Sequence, residues 1–203
     1  MGEQTYDEWR LVLPSAWWTI PLRDAGRREA SIAALVEAQF AGVPAPESLK
    51  RDMRSALEFQ AVRAAEYNGL SLAIARELLP GIPLGASLIV NHVATPPITV
   101  GDLEVLLDWS DGAPERAEVA AGPALRRATL GVAEAADDLS VNTLTVNYYI
   151  PDEQGFGYYG LVLSAPLPPA LAEPVEVLFD AVAQTFHYVS QEDPAALKEA
   201  IGE

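Results

Sequence analysis

The chain has 203 residues, 13 basic and 29 acidic side chains, a formal net charge of −16 and no cysteine. Without cysteine it makes no disulfide, thiolate nucleophile or thiolate metal site, and a surface this acidic repels phosphate backbones, which disfavours nucleic-acid binding and suits a basic protein partner. Half the residues are hydrophobic, enough for the core of one domain, yet no run of about twenty is uninterrupted and apolar as a membrane-spanning helix requires.

The charge is unevenly spread. Residues 1–101 carry nine basic and eleven acidic side chains, and residues 102–203 carry four and eighteen. The plain reading is solubility; the sharper one is a docking surface for a basic partner. The first ten residues, MGEQTYDEWR, are polar and acidic, unlike a secretion signal, so a cytoplasmic location is expected.

Residues 1–8 read as loosely ordered. A short strand is expected over Trp9 to Leu13 and a second over Trp17 to Leu22. In the second, Trp18, Ile20 and Leu22 share one face and Trp17 and Thr19 the other. Both tryptophans are covered only if both faces of the sheet are. Asp24 then caps a helix carrying Ile32, Leu35, Val36 and Phe40, which Gly42 ends. A second helix runs from Glu47 to Tyr67. Leu49, Met53 and Leu57 form its stripe, and Phe59 and Val62 on another side predict contact with a further element. Its alternating arginines and acids read as a solvated face.

Leu70, Leu72 and Ile74 alternate with small residues and predict a strand. Pro83 to Val93 predicts another, with Leu84, Ala86, Leu88, Val90 and His92 on one face. A histidine at the end of an apolar face reads first as a hydrogen-bonded structural group and second as a catalytic one. Thr99 and Asp102 have the spacing of a capping box for a helix over Gly101 to Trp109. Strands follow at Arg116 to Val119 and Leu125 to Val132, with an acidic loop at Glu134 to Asp138.

The stretch around which the chain is organised is Ser140 to Pro166. Leu144, Val146, Tyr148 and Ile150 alternate with Thr143, Thr145, Asn147 and Tyr149; Tyr159, Leu161 and Leu163 answer them in a second strand. Matching apolar faces predicts a hairpin that pairs 148 with 159, 146 with 161 and 144 with 163, and leaves Pro151 to Phe156 as the loop. On its polar face Tyr149 then meets Tyr158, beside a notch at Gly160. That notch has room for a ligand or partner side chain; the plainer reading is cross-strand packing. Gly155, Gly157 and Gly160 spell G-x-G-x-x-G, but they open a strand, and the dinucleotide fingerprint needs a helix there. After a proline-rich stretch, Leu171, Val175, Leu178, Val182 and Phe186 form a helical stripe. His187 to Val189 is expected to dock on the sheet, and 190–203 reads as a tail with a short helix.

Chemistry-bearing constellations are scarce. Two histidines, His92 and His187, cannot build a histidine-rich metal site, and the acidic pairs Asp137-Asp138 and Asp152-Glu153 sit in turns. No Gly-x-Ser-x-Gly elbow, phosphate loop or H-E-x-x-H occurs. No cofactor and no metal is expected. A Ser-His-Asp triad stays open, because its members need not be close in sequence.

The element order is two N-terminal strands, two helices, a series of antiparallel strands, a long hairpin and a C-terminal amphipathic helix. Together with Leu13, Pro14, Trp17, Ile20, Pro21 and Leu22 near the start, Tyr148-Tyr149-Ile150-Pro151 before the turn and Val177 to Val182 in the last helix, it resembles the Mog1/PsbP-like group. In particular it resembles uncharacterised actinobacterial proteins of that type, over residues 9–189. The resemblance implies an α+β fold, an α/β/α sandwich around a mainly antiparallel sheet in one domain, and a non-catalytic role as adaptor, chaperone or assembly factor. It transfers no functional residue.

Two functions therefore stand. One is a cytoplasmic protein-binding module without catalysis, with Trp9, Trp17, Tyr149, Phe156 and Tyr158 as exposed aromatic anchors. The other is a small-molecule binder or unrecognised enzyme with a pocket near His92 or Gly160. A wide apolar surface would favour the first and a deep polar pocket the second.

Overall fold

The computed structural model describes residues 9–42, 44–75, 85–110, 112–134, 140–152 and 156–189. Strands β1 (Trp9–Arg10) and β2 (Trp17–Pro21) lead into helices α1 (Ala25–Gln39) and α2 (Glu47–Glu66). Then come β3 (Gly69–Ala75), β4 (Ala86–Val93), α3 (Val100–Leu106), β5 (Glu115–Val119), β6 (Gly122–Glu134), β7 (Ser140–Pro151) and β8 (Tyr158–Pro166). The last are α4 (Ala172–Gln184) and β9 (His187–Tyr188). The fold is mixed α+β, and no helix among the described residues is long and apolar enough to cross a membrane.

Seven strands form one antiparallel sheet in the order β2-β3-β4-β8-β7-β6-β5, and β1 pairs with β9 in a small second sheet. From β4 the chain leaves through α3 to the far edge, then returns as the meander β5 to β8. That return places β8 against β4, so the expected hairpin of Ser140 to Pro166 forms the middle of the sheet. Both sides of the hairpin are thereby paired.

The predicted alternation holds, and it sorts side chains onto two covered faces. On one face Leu88, Val90, Leu144, Val146, Tyr148, Ile150, Leu161 and Leu163 pack against Val175, Phe179 and Val182 of α4. On the other, Ile20, Leu22 and Leu72 pack against Ile32, Leu35 and Val36 of α1 and Leu57 and Ala61 of α2. Trp17 is buried against Phe179, edge to face at 6.5 Å. Trp18 points the other way, and its Nε1 donates to Ser31 Oγ at 3.0 Å. Adjacent tryptophans are accommodated because helices cover both faces.

Local signals set the helix ends. Asp24 accepts from the Arg27 N–H at 2.9 Å, as its N-cap position predicts. The Thr99/Asp102 capping box is complete. α3 stops at Leu106, short of the expected Trp109, and the chain turns back so that Trp109 Nε1 donates to Glu104 O at 2.9 Å.

Several expectations need correction. The first strand covers only Trp9–Arg10, and pairs with β9 through Trp9 with Tyr188. The hairpin register is displaced by two residues: Tyr148 faces Leu161, Val146 faces Leu163 and Leu144 faces Ala165. Pro151 belongs to the strand, opposite Tyr158, and the Asp152 N–H donates to Gly157 O at 2.9 Å. The leading part of the Pro83 to Val93 strand, the acidic loop around Asp137 and Asp138, Glu153, Gly155 and the segments 1–8 and 190–203 lie outside the described residues.

Candidate functional site

Neither face is covered from end to end. On the α1/α2 side, the helices lie over β2 and β3, while α3 and Trp109 cover the far ends of β6 and β7 around Leu103 and Leu125. Between these two groups the middle of β4, β8, β7 and β6 carries half-buried side chains, with Asn147, Gly160 and Leu125 buried among them. The register arranges its side chains in rows. Asn91, Gly160, Tyr149 and Leu125 make one, and Ile89, Val162, Asn147 and Arg127 the next.

Where this strip meets α2 there is an open groove of about 540 Å³. Its walls include Phe59 and Arg63 of α2 and Tyr67 just after it, and its floor Ile89, Asn91 and Val162. Phe59 is 65% exposed and Val62 40%, so the side of α2 on which the sequence suggested a further contact stands largely in solvent, as does Tyr67. The Arg63 guanidinium carbon lies 5.9 Å from the Phe59 ring centre and 5.5 Å from that of Tyr67. Arg63 thus sits between two exposed aromatics on a rigid helix, with Glu66 at 3.9 Å.

The notch at Gly160 is filled from within. A Cβ on Gly160 would fall on the carboxamide of its cross-strand partner Asn91. The missing side chain makes room for Asn91, whose buried Oδ1 has no hydrogen-bond partner. Tyr149 faces Gly160, and its contact with Tyr158 is diagonal, with ring centres 6.2 Å apart. Trp109 meets Tyr149 edge to face at 5.5 Å. Burial pushes the Tyr149 and Tyr158 hydroxyls above the ordinary phenol value, and the charge of Arg127 partly offsets this at Tyr149.

Of the five aromatics expected at the surface, only Phe156 is strongly exposed, at 61%. Trp17 and Tyr158 are buried, against expectation. Trp9 stacks on Phe186 with ring centres 5.8 Å apart, and Tyr149 is half-buried. The sequence placed Trp9, Trp17, Tyr149 and Tyr158 on strands and Phe156 in the turn, as found, but not the groups that cover the four strand residues.

His92 is a hydrogen-bonded histidine. Its Nε2 lies 3.0 Å from Asp152 Oδ2 and its ring centre 4.7 Å from that of Tyr159. The contact ties the end of β4 to the turn after β7. Among the described residues no hydroxyl is bonded to the other ring nitrogen. His92 also lines a hollow of about 290 Å³ with Arg23, Asn68 and Ala94. Among the described residues no three His, Asp or Glu side chains converge as metal ligands would.

One cluster escaped the sequence reading. On the α4 face Arg126 donates to both oxygens of Asp180, from Nε at 2.8 Å and from an Nη at 3.0 Å, and also bonds Glu176. Tyr148 Oη donates to Asp180 Oδ1 at 2.8 Å. Burial opposes the Arg126 charge, but the bonds to Asp180 and Glu176 outweigh it and raise its pKa. Burial first, then Asp180, raises that of Tyr148. The available signal was Glu176 and Asp180 one turn apart beside the apolar stripe of α4. The cluster fastens helix to sheet.

Arg127, the next residue, points to the opposite face. Its guanidinium carbon lies 5.6 Å from the Trp109 ring centre, one Nη donates to Asp108 O at 3.4 Å, and its buried Nε has no partner. Searched against models of protein families and against curated proteins, the chain matches none.

Proposed function

We propose that this chain is a non-catalytic protein-binding module, an adaptor, chaperone or assembly factor of the Mog1/PsbP-like kind, working in the cytoplasm. The antiparallel sheet with helices on both faces is what an α/β/α sandwich of that group requires, and this supports the resemblance. The observation that carries the function is the groove beside α2. Two large aromatics, Phe59 and Tyr67, stand in solvent at its wall, held by Arg63. Rigid exposed aromatics at the edge of an apolar hollow are the usual anchors of an interface, because they lose little conformational freedom on binding.

The partner in this reading presents an apolar side chain to the groove and a basic surface around it, which a net charge of −16 would steer into place. The test is a tagged chain recovered from its native host, compared with a Phe59→Ser/Tyr67→Ser variant of equal stability. A stoichiometric protein held by the first and lost from the second supports the reading. The same protein held by both excludes this surface.

The alternative, a small-molecule pocket, is favoured at His92 by the hollow it lines. It is not favoured at Gly160, whose notch Asn91 occupies.

A further inference from the structure

The acidic half of the chain holds three arginines among its described residues, and two are neutralised in place. Arg116 is bonded to Glu104 at 2.8 Å, and Arg126 to Asp180, Glu176 and Glu115. Arg127 has no carboxylate within ion-pairing distance among the described residues, although eighteen acidic residues belong to the same half. Among the described residues its buried Nε has no hydrogen-bond partner, and the hydrogen bond from its Nη to Asp108 O is long, at 3.4 Å. Among the described residues, a half-buried cation without a carboxylate partner, set on the Trp109 ring, leaves most of its fork of donors uncommitted.

The residues beside it fit a specific ligand. Across the sheet, Arg127 faces Asn147, the one polar residue that is buried among those described, and Asn147 faces Val162, which faces Ile89. Adjacent strands lie ~4.8 Å apart, so this row spans roughly 14 Å. It runs from a cation and an amide to two apolar side chains on the groove floor. We infer that the row binds a small amphiphilic carboxylate, with its head on Arg127 and Asn147 and its apolar body over Val162 and Ile89. The Arg127 fork matches a carboxylate bidentately once the weak bond to Asp108 O is released. Its apolar end shares Val162 and Ile89 with the floor of the proposed docking groove, so a bound protein partner would compete with the ligand there, while its cationic end lies on β6, two strands from Val162; titration of the purified chain tests the ligand without the partner.

The test is calorimetric titration of the purified chain with octanoate, with acetate, octylamine and inorganic phosphate in parallel, while Trp109 fluorescence reports the cationic end. Saturable 1:1 binding of octanoate is expected, with acetate and octylamine each at least tenfold weaker. Arg127→Gln should lower octanoate affinity at least tenfold and Arg127→Lys by a similar factor, because lysine keeps the charge and loses the fork. Arg116→Gln should leave it unchanged. Thermal melts establish that each variant is folded; Trp109→Phe should remove the fluorescence response and keep the heat. No saturable octanoate binding, equal binding by folded Arg127→Gln, or phosphate binding as tightly as octanoate would each overturn the assignment.

Discussion

Arg126 and Asp180 lie on different elements, β6 and α4, and meet through two parallel hydrogen bonds of 2.8 and 3.0 Å. The side chains are 12% and 26% exposed, so the pair is largely withdrawn from water. Tyr148 of β7 donates to the same carboxylate. Asp180→Ala would leave a guanidinium and a phenol without their shared acceptor. It should destabilise the fold by roughly 3 kcal/mol, the low end of the cost of removing one partner from a buried ion pair. Denaturant midpoints of Asp180→Ala, Arg126→Met and the double variant check this, and the double variant should be the less damaged relative to the sum of the two.

Gly157 and Gly160 stand three residues apart in the same strand region, and their substitution should differ. Gly157 has φ of +128°, and a Cβ there would run into Val93 O, a backbone atom that cannot step aside. Gly157→Ala should cost about 2 kcal/mol or more, from strain and from the collision together. At Gly160 the obstacle is the Asn91 side chain, which can swing towards the groove. Gly160→Ala should cost less, and Asn91→Ala in the same chain should recover most of it. Thermal unfolding of the three variants distinguishes these outcomes.

Alkali should unfold the protein ahead of general charge repulsion. Tyr148, Tyr149 and Tyr158 all have pKa values above the ordinary 10.0, chiefly through burial. A phenol whose folded pKa is raised keeps its full stabilisation below the unfolded pKa and loses it as pH rises towards the folded value. Stability should therefore be level for these groups up to about pH 9 and fall beyond pH 10. Replacing Tyr149 and Tyr158 by Phe should flatten that fall, measured as urea midpoints from pH 8 to 11.

The capping box at Thr99 holds the start of α3, whose Leu103 is fully buried beside Leu125 and Tyr158. Thr99→Ala should cost about 1 kcal/mol. Because Trp109 returns to Glu104 O, the loss should also shift Trp109 emission before global unfolding, a sign that this end of the sheet loosens first.

The hairpin shows what was legible in the sequence. Alternation assigned each of its side chains to a face, and every assignment from Leu144 to Leu163 holds. Register was not legible, because a slip of two residues preserves both faces and leaves the apolar pattern unchanged. The turn decides it: Gly157 in a left-handed conformation and the Asp152 to Gly157 hydrogen bond draw Pro151 into the ladder. The site was less legible still. Arg126 and Arg127 are neighbours with the same charge, and the pleat sends one to an ion-pair cluster and the other to the opposite face, against Trp109. Which neighbour found a carboxylate depended on the position of α4, a contact 54 residues away. Phe59 was visible as an off-stripe aromatic, but only the placement of α2 beside β4 shows that it stands at the wall of a groove, 65% exposed.

The central claim is that the α2 groove is a protein-docking surface, and the most direct measurement is recovery of a partner by wild-type chain and by Phe59→Ser/Tyr67→Ser. Both side chains are mostly in solvent, so their loss should alter stability by no more than about 0.5 kcal/mol. The account predicts one stoichiometric partner bound to the wild type and absent from the variant at equal folded concentration. A partner that stays bound to the variant, or a wild-type chain that retains no protein at all, would contradict it.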